Sequence, residues 1–185
     1  VAASRDVDRA DYFDGIWATN VIGGQTWGLP WYVDTRVLFY RRDLLQAAGH
    51  TQVASTWAGW RQQLQDVKAA AGAQRYAVLL PTNEYDPLVA LALQGGAPLL
   101  RDDARWGAFR GEDFRRTWAF FHGLYADGLA PPVSHNEVAN VWNEFARGYF
   151  SFYISGPWQI GEFRRRLPAA LQHTWATAPL PGPQG

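Results

Sequence analysis

A chain of 185 residues is long enough for one sizeable hydrophobic core or for one lobe of a larger protein. Its 17 basic residues balance 17 acidic ones, which excludes the strong positive charge typical of proteins that bind nucleic acid or anionic membranes. The sequence has no cysteine, which excludes disulfides and thiolate metal sites, and no apolar run near the roughly 20 residues needed to span a bilayer.

The first predicted elements are a strand and two helices. An extended run of aromatic and β-branched residues over 31–40 predicts a strand. Asp43 is then expected to cap a short helix that Gly49 ends. Residues 55–72 predict a longer helix, because a Ser or Thr cap is followed by apolar residues at spacings of three and four, and then by a glycine.

A buried strand, a short helix and a hairpin are predicted next. The continuous apolar run of residues 75–81 is typical of a strand covered on both faces of its sheet. Residues 86–96 predict a largely buried helix that ends at two glycines. Residues 97–109 predict a hairpin that turns at Asp102 and Asp103.

Two helices, a strand, a further helix and a last strand complete the pattern. Residues 111–128 predict a helix with one apolar face, made of Phe114, Trp118, Phe121, Leu124 and Tyr125. Residues 135–149 predict a helix with an apolar stripe, made of Val138, Val141, Trp142 and Phe145. An apolar strand, an amphipathic helix and a strand that runs into a Pro/Gly segment follow. This alternation predicts an α/β fold with a sheet rich in parallel strands.

Metal and cofactor sites are not predicted. The four histidines are scattered without the spacing of metal ligands, at His50, His122, His135 and His173. We therefore expect neither a metal ion nor an organic cofactor.

Trp158 lies where the predicted strand at 149–155 ends and the next helix begins. Ser155, Gly156 and Pro157 stop the strand immediately before it. A side chain of this size would bury more apolar surface in a core than at such an edge. The residues alone leave two interpretations open: a tryptophan that packs in the core, and a flat surface that stacks on a ligand.

Four segments of the chain carry motifs that occur together in one family. They are WGLPWYVDTRVLFYRRDLLQAAG, TWAGWRQQLQDV, ARGYFSFYISGPWQIGEFRRRLP and WATAPLPGPQG. The pattern GLP-aromatic-x-V-D-T and the pattern I-S-G-P-W are each fairly specific. In this order the segments resemble the extracellular solute-binding proteins of ABC importers, the sugar-binding family that includes maltose-binding protein.

The resemblance implies an α/β fold of the periplasmic-binding-protein type, with a mixed sheet flanked by helices. It also implies that the chain is the central part of an incomplete two-lobe fold. Residues 1–33 would be a fragment of the N-terminal lobe, residues 34–172 would form the C-terminal lobe, and residues 173–185 would return toward the hinge. Sugar would bind in the cleft between the lobes, where small-molecule sites are generally frequent.

The resemblance further implies which residues bind the sugar. Trp158 would stack on a sugar ring, and the helix that follows would offer backbone N–H donors. Asp34 would hydrogen-bond sugar hydroxyls; as an acid within a strand-like run it is otherwise disfavoured, although a turn or cap aspartate is the alternative. Arg36 would lie on the same strand face as Asp34, and would pair with it or reach the ligand.

Other candidates are weaker. Glu84 and Tyr85 follow a buried strand and would correspond to a carboxylate and an aromatic ring that contact sugar, with a solvated loop as the alternative. Trp31 and Tyr32 would lie near the hinge, where simple packing is the alternative. Trp142 fits the apolar stripe of its helix, which favours a place in the core.

The implied function is the capture of a sugar and its delivery to the permease subunits of an ABC transporter. Neither catalysis nor the binding of nucleic acid is expected. The protein would act in the periplasm or at the extracellular face of the cytoplasmic membrane. It would reach the membrane only through the permease or a lipid anchor outside this chain. Residues 164–166, three arginines, are typical of a solvated helix end.

Two other classes of protein stay open. A glycoside hydrolase would need two acids about 5 to 9 Å apart, for which Asp34 and Glu84 are the candidates. Ser155 does not fit a nucleophile, because YISGPW lacks the first glycine of a G-x-S-x-G elbow. A protein-interaction domain would explain the ten tryptophans less well.

Overall fold

The computed structural model describes residues 7–138 and 140–184. These residues divide into two compact units, of which the first ends at Thr35 and the second begins at Arg36. Residues 1–6 of the predicted N-terminal-lobe fragment, Ala139 of the helix predicted over 135–149, and Gly185 lie outside the described residues.

The first unit is small. Its elements are a 3-10 turn Arg9–Asp11, the helix α1 (Asp14–Ala18) and the strands β1 (Val21–Ile22) and β2 (Gln25–Thr26). β1 and β2 form an antiparallel hairpin around Gly23 and Gly24, whose φ angles of 59° and 78° suit glycine. Trp17 of α1 is buried, with its ring centroid 5.4 Å from that of Tyr12.

The second unit contains the main sheet and six of the helices. Its helices are α2 (Arg42–Ala47), α3 (Trp57–Ala71), α4 (Asp86–Gln94), α5 (Glu112–Ala126), α6 (Val141–Ala146) and α7 (Gln159–Arg166). Its strands are β3 (Val37–Arg41), β4 (Tyr76–Leu79), β5 (Leu100–Arg101), β6 (Trp106–Gly107), β7 (Phe150–Ser155) and β8 (Trp175–Ala178). No helix among the described residues is long and apolar enough to cross a membrane.

The main sheet is mixed, with the strand order β4-β7-β3-β8. β4 and β7 are parallel, whereas β3 is antiparallel to both β7 and β8. The prediction of a sheet rich in parallel strands is therefore wrong. An apolar run indicates that a strand is buried. It does not encode the direction of the strand, because that direction depends on how the connecting segments cross from one end of the sheet to the other.

Helices cover both faces of the sheet, as the predicted α/β class requires. Neighbouring residues of a strand point to opposite faces. Leu38 and Phe152 accordingly pack with Trp60 of α3 on one side. On the other side, Phe39 and Tyr153 pack in a second cluster with helices α6 and α7. Every residue of β7 is buried, which explains its uninterrupted apolar sequence.

Several predicted element ends are confirmed. Thr56 caps α3, where its hydroxyl accepts a hydrogen bond from the Gly59 backbone at 3.1 Å, and Gly72 ends that helix with φ 86°. The hairpin of β5 and β6 turns at Asp102 and Asp103, as predicted. These signals are local, because caps and turns act within a few residues.

Two predictions near β3 are wrong. The strand predicted over 31–40 begins only at Val37, and residues 27–36 are neither helix nor strand. Asp43 does not cap α2, because it lies inside the helix, one residue after its start. Its carboxylate instead accepts hydrogen bonds from Nε and Nη2 of Arg41, at 2.8 and 2.7 Å.

The helix predicted over 135–149 is also interrupted. Residues 135–137 form a 3-10 turn, and α6 begins only at Val141. Asn140 caps α6, because its side-chain oxygen accepts a hydrogen bond from the Asn143 backbone at 2.9 Å. Asn140, which the pattern places inside one continuous helix, therefore caps the start of α6.

Candidate functional site

Three chain segments of the second unit meet at one edge of the main sheet. Because β4 and β7 are parallel, their carboxyl ends lie at the same edge. β3 runs antiparallel to β7, and Val37 pairs with Ser155, so the start of β3 lies there too. The loop after a strand's carboxyl end is where open α/β sheets generally bind ligands.

Trp158 is at this edge, in the turn between β7 and α7. Its side chain is 52% exposed. The six-membered ring of the indole lies directly on Gly156, where a β-carbon would come within 1.7 to 2.1 Å of three ring atoms. The Arg36 guanidinium carbon lies 5.2 Å from the ring centroid, within cation–π range. Trp158 is therefore not a core residue; it presents an indole supported by backbone and by a cation.

The packing of Trp158 against Gly156 predicts the effect of Gly156→Ala. The new methyl group would overlap the indole, so we expect the ring to leave its present position. The indole N–H resonance of Trp158 in proton–nitrogen NMR spectra, assigned with Trp158→Phe, should shift or disappear.

Gly161→Ala is the matched control for this substitution, because nothing lies within 4 Å of a β-carbon there. It should leave the Trp158 resonance in place. An unmoved resonance in Gly156→Ala would contradict the described contact.

Arg36 is held by an acidic residue of α4. Its Nη2 atom lies 2.7 Å from Oδ1 of Asp86, and only 15% of its side chain is exposed. Because residues 27–36 are not a strand, the prediction that Arg36 shares a strand face with Asp34 is wrong. The ion pair with Asp86 ties the start of β3 to the start of α4.

The loop after β4 carries Glu84 and Tyr85. Tyr85 is 73% exposed, and the Glu84 carboxylate is partly exposed. Nδ1 of His135 lies 3.0 Å from Oε1 of Glu84, an ion-pair distance without hydrogen-bond geometry. The His135 backbone N–H donates to Oδ1 of Asn83 at 2.7 Å. The loop is thereby fixed against the segment that precedes α6.

Two phenols, the partly buried Tyr125 and the buried Tyr153, lie within electrostatic reach of Glu84. Burial, and after it the charge of Glu84, raise the pKa of Tyr125 to about 12. Burial likewise raises the pKa of Tyr153, which hydrogen-bonds Ser155. The Tyr125 hydroxyl donates to the Leu80 carbonyl oxygen at 2.6 Å. Both phenols thus stay neutral well above neutral pH.

The start of α7 does not offer all the donors that were expected there. The Gln159 N–H donates to the Gly156 carbonyl oxygen and the Ile160 N–H to that of Pro157, both at 3.0 Å. The turn itself therefore uses two of the backbone groups predicted to face a ligand.

The remaining predicted site residues lie in the first unit. Trp31 is 92% exposed and Tyr32 is 72% exposed, with their ring centroids 6.0 Å apart and their planes at 77°. Both line a pocket of about 230 Å³ that also includes Phe13 and Ile16. Asp34 is exposed too, and it does not lie in a strand. The strand argument for its role is thus wrong, and its role remains a prediction.

Sequence reasoning missed Asp86, His135 and Tyr153. Asp86 reads as a first-turn helix residue, and His135 belongs to a segment far from Glu84 in the chain. Tyr153 could have been identified from the sequence, because it lies two residues before Ser155 and therefore on the same face of β7. Trp142 is partly buried: its Nε1 donates to Gln159 at 3.0 Å, and Arg166 lies 4.1 Å from its ring centroid.

Comparison with known sequences shows the family. The family profile of the bacterial extracellular solute-binding proteins matches residues 2–185, and the chain belongs to this family. A probable ABC transporter-binding protein of Deinococcus radiodurans is 29% identical over 159 residues, which cover 78% of this chain and 38% of that protein. A putative binding protein of Brucella abortus is 24% identical over 184 residues, covering 97% and 44%.

Solved structures share the fold. The sugar-binding protein MalE of Xanthomonas citri matches with a TM-score of 0.90 and 49% identity, covering 100% of this chain and 47% of that one. The GacH receptor of Streptomyces glaucescens matches with a TM-score of 0.78 at 21% identity, covering 95% and 45%. The chain thus spans less than half the length of these proteins. The predicted periplasmic-binding-protein type of fold is confirmed.

Proposed function

We propose that this chain forms part of the sugar-binding site of a solute-binding protein that serves an ABC importer. The observation that carries the proposal is Trp158: half its surface is exposed, its ring packs on Gly156, and the Arg36 guanidinium lies within cation–π range of it. The names of two similar proteins, the sugar-binding protein MalE of X. citri and the ABC transporter-binding protein of D. radiodurans, point to the same function.

The chemistry of sugars fits this edge of the sheet. A pyranose presents C–H groups on its faces and hydroxyls around its rim. A flat indole covers such a face without leaving a polar group unsatisfied, and the rim requires charged or amide partners. Glu84 would accept hydrogen bonds from hydroxyls, Arg36 would donate to them, and the exposed ring of Tyr85 would cover a second apolar surface.

The rest of the proposed site and its partners follow from the family. Asp34, Trp31 and Tyr32 would contribute from the first unit. We assign residues 1–33 to the N-terminal lobe, residues 34–172 to the C-terminal lobe and residues 173–185 to the return toward the hinge. The bound sugar would pass to permease subunits, and the protein would act in the periplasm or on the extracellular face of the membrane.

A binding function without catalysis is the better of two explanations for the carboxylates. The matched family and the similar solved structures are solute-binding proteins. Of the two acids of the hydrolase alternative, Asp34 belongs to the first unit and Glu84 to the second, where His135 lies beside it.

The test is calorimetric titration of the protein, at its full encoded length, with a panel of mono- to tetrasaccharides. We expect at least one sugar to bind with a dissociation constant in the micromolar range or below. Chromatography of the same mixtures after prolonged incubation should recover the sugar unchanged. Hydrolysis would establish the glycosidase alternative, and failure of every sugar to bind would contradict the proposed function.

A further inference from the structure

We propose that a pocket between α4 and α5 is an additional subsite, in which a second sugar ring of the same ligand stacks on Trp118. This inference rests on the proposed sugar-binding function. The pocket measures about 440 Å³ and lies beside the loop that carries Glu84 and Tyr85. This volume is within the range of small-molecule sites.

Trp118 is the first reason for this assignment. The apolar face of α5 predicts that it is buried, and Phe121 and Leu124 of that face are indeed buried, at 7% and 0% exposure. Trp118 is instead 49% exposed, so the prediction that it packs with them is wrong. Trp118 is therefore a half-exposed tryptophan at the wall of a concave pocket. Its ring provides a flat apolar surface for a ligand.

The orientation of this surface is stabilised from the same helix. The His122 ring lies one turn after Trp118, with ring centroids 6.1 Å apart and planes at 29°. Phe121 and Tyr125 also line the pocket, and the hydrogen bond from the Tyr125 hydroxyl to the Leu80 carbonyl oxygen holds that ring in place. The His122 ring therefore packs beside the Trp118 indole in the protein without ligand.

The polar side of the pocket suits hydroxyl groups. Thr82, Asn83 and Glu84 line it together with the aromatic rings. A carboxylate, an amide and a hydroxyl next to a flat indole form the same combination that is proposed for the Trp158 surface. Asn83 and Glu84 each have His135 as one partner, and their remaining donor and acceptor capacity is available to sugar hydroxyls.

Three consecutive residues link the pocket to the surroundings of Trp158. Glu84 and Tyr85 line the pocket, and Asp86 is paired with Arg36, whose guanidinium carbon lies 5.2 Å from the Trp158 ring centroid. Neighbouring α-carbons are only about 3.8 Å apart, so the two surfaces share this short loop. One sugar ring on Trp158 and another on Trp118 would place Glu84 and Tyr85 between them.

The experiment compares the tightest-binding oligosaccharide of the panel with its constituent monosaccharide, by calorimetry on the protein at full encoded length. In Trp118→Ala we expect the affinity for the oligosaccharide to fall about tenfold, because one stacking surface is lost; a tenfold change corresponds to about 1.4 kcal/mol. Monosaccharide affinity should stay unchanged, because that ring would occupy Trp158. Trp118→Phe should keep most of the affinity for the oligosaccharide.

Trp106→Ala is the matched control, because Trp106 is 61% exposed on the hairpin of β5 and β6 and does not line the pocket. It should leave both affinities unchanged, and the thermal midpoints of all variants should agree. Unchanged oligosaccharide affinity in Trp118→Ala, or no oligosaccharide that binds more tightly than its monosaccharide, would overturn the subsite alone. Failure of every sugar to bind the unmodified protein would overturn the proposed function as well.

Discussion

Trp158→Ala is expected to weaken sugar binding by about a hundredfold, or roughly 2.8 kcal/mol, with little change in the free energy of unfolding. The two effects separate because the indole is 52% exposed and belongs to no core cluster. Removing it exposes the Gly156 backbone and the Arg36 guanidinium but leaves no buried cavity. Calorimetry gives the affinity and urea denaturation gives the stability.

Two comparisons make this result specific. Trp158→Phe keeps a flat ring in the turn and should recover a substantial part of the affinity. Trp60→Ala removes a fully buried indole instead, and should cost about 3 to 5 kcal/mol of stability. Sugar binding unimpaired by Trp158→Ala would show that the ligand lies elsewhere.

Arg41→Ala is expected to destabilise the fold by about 3 kcal/mol or more. The Arg41 side chain is only 7% exposed, and its Nη1 donates to the carbonyl oxygens of Phe145 and Ala146 at 2.9 and 3.1 Å. These are among the last carbonyls of α6, and that of Phe145 also accepts a hydrogen bond from the Gly148 backbone N–H at 3.1 Å. The substitution leaves them and the Asp43 carboxylate without this donor. Urea denaturation at pH 7 measures the loss.

The pH dependence distinguishes the ion pair from packing. Burial by itself raises the pKa of Asp43, but the hydrogen bonds and charge of Arg41 outweigh it and hold that pKa below its ordinary value. A carboxyl with a lowered pKa stabilises the fold above its unfolded-state pKa, and this contribution is lost as the pH falls through its folded-state pKa. The stability difference between Arg41→Ala and the unmodified protein should therefore shrink below about pH 4.

The exposed Arg164 on α7 provides the control for Arg41. Arg164→Ala removes an equal charge and should change the free energy of unfolding by no more than about 0.5 kcal/mol. A comparable loss in both variants would mean that net charge, and not the buried hydrogen bonds of Arg41, accounts for the effect.

The sequence by itself determined the α/β class, most element positions and the exposed turn of Trp158. α3 illustrates why: its cap, its periodic apolar residues and its terminal glycine all act within one helix. The strand at β7 was equally readable, because burial on both faces requires an uninterrupted apolar run. The GPW motif located Trp158 through resemblance to a family, and not through any physical property of the motif alone.

Only the tertiary structure decided which side chains meet. Arg36 pairs with Asp86, and Glu84 approaches His135, across separations of about fifty residues that no local pattern encodes. The same holds for Trp118, whose helical spacing predicts burial although 49% of it is exposed. Spacing along a helix specifies a face, whereas the partner of that face depends on how sheet and helices pack. Contacts between distant segments, which form the candidate site, therefore followed from packing and not from sequence periodicity.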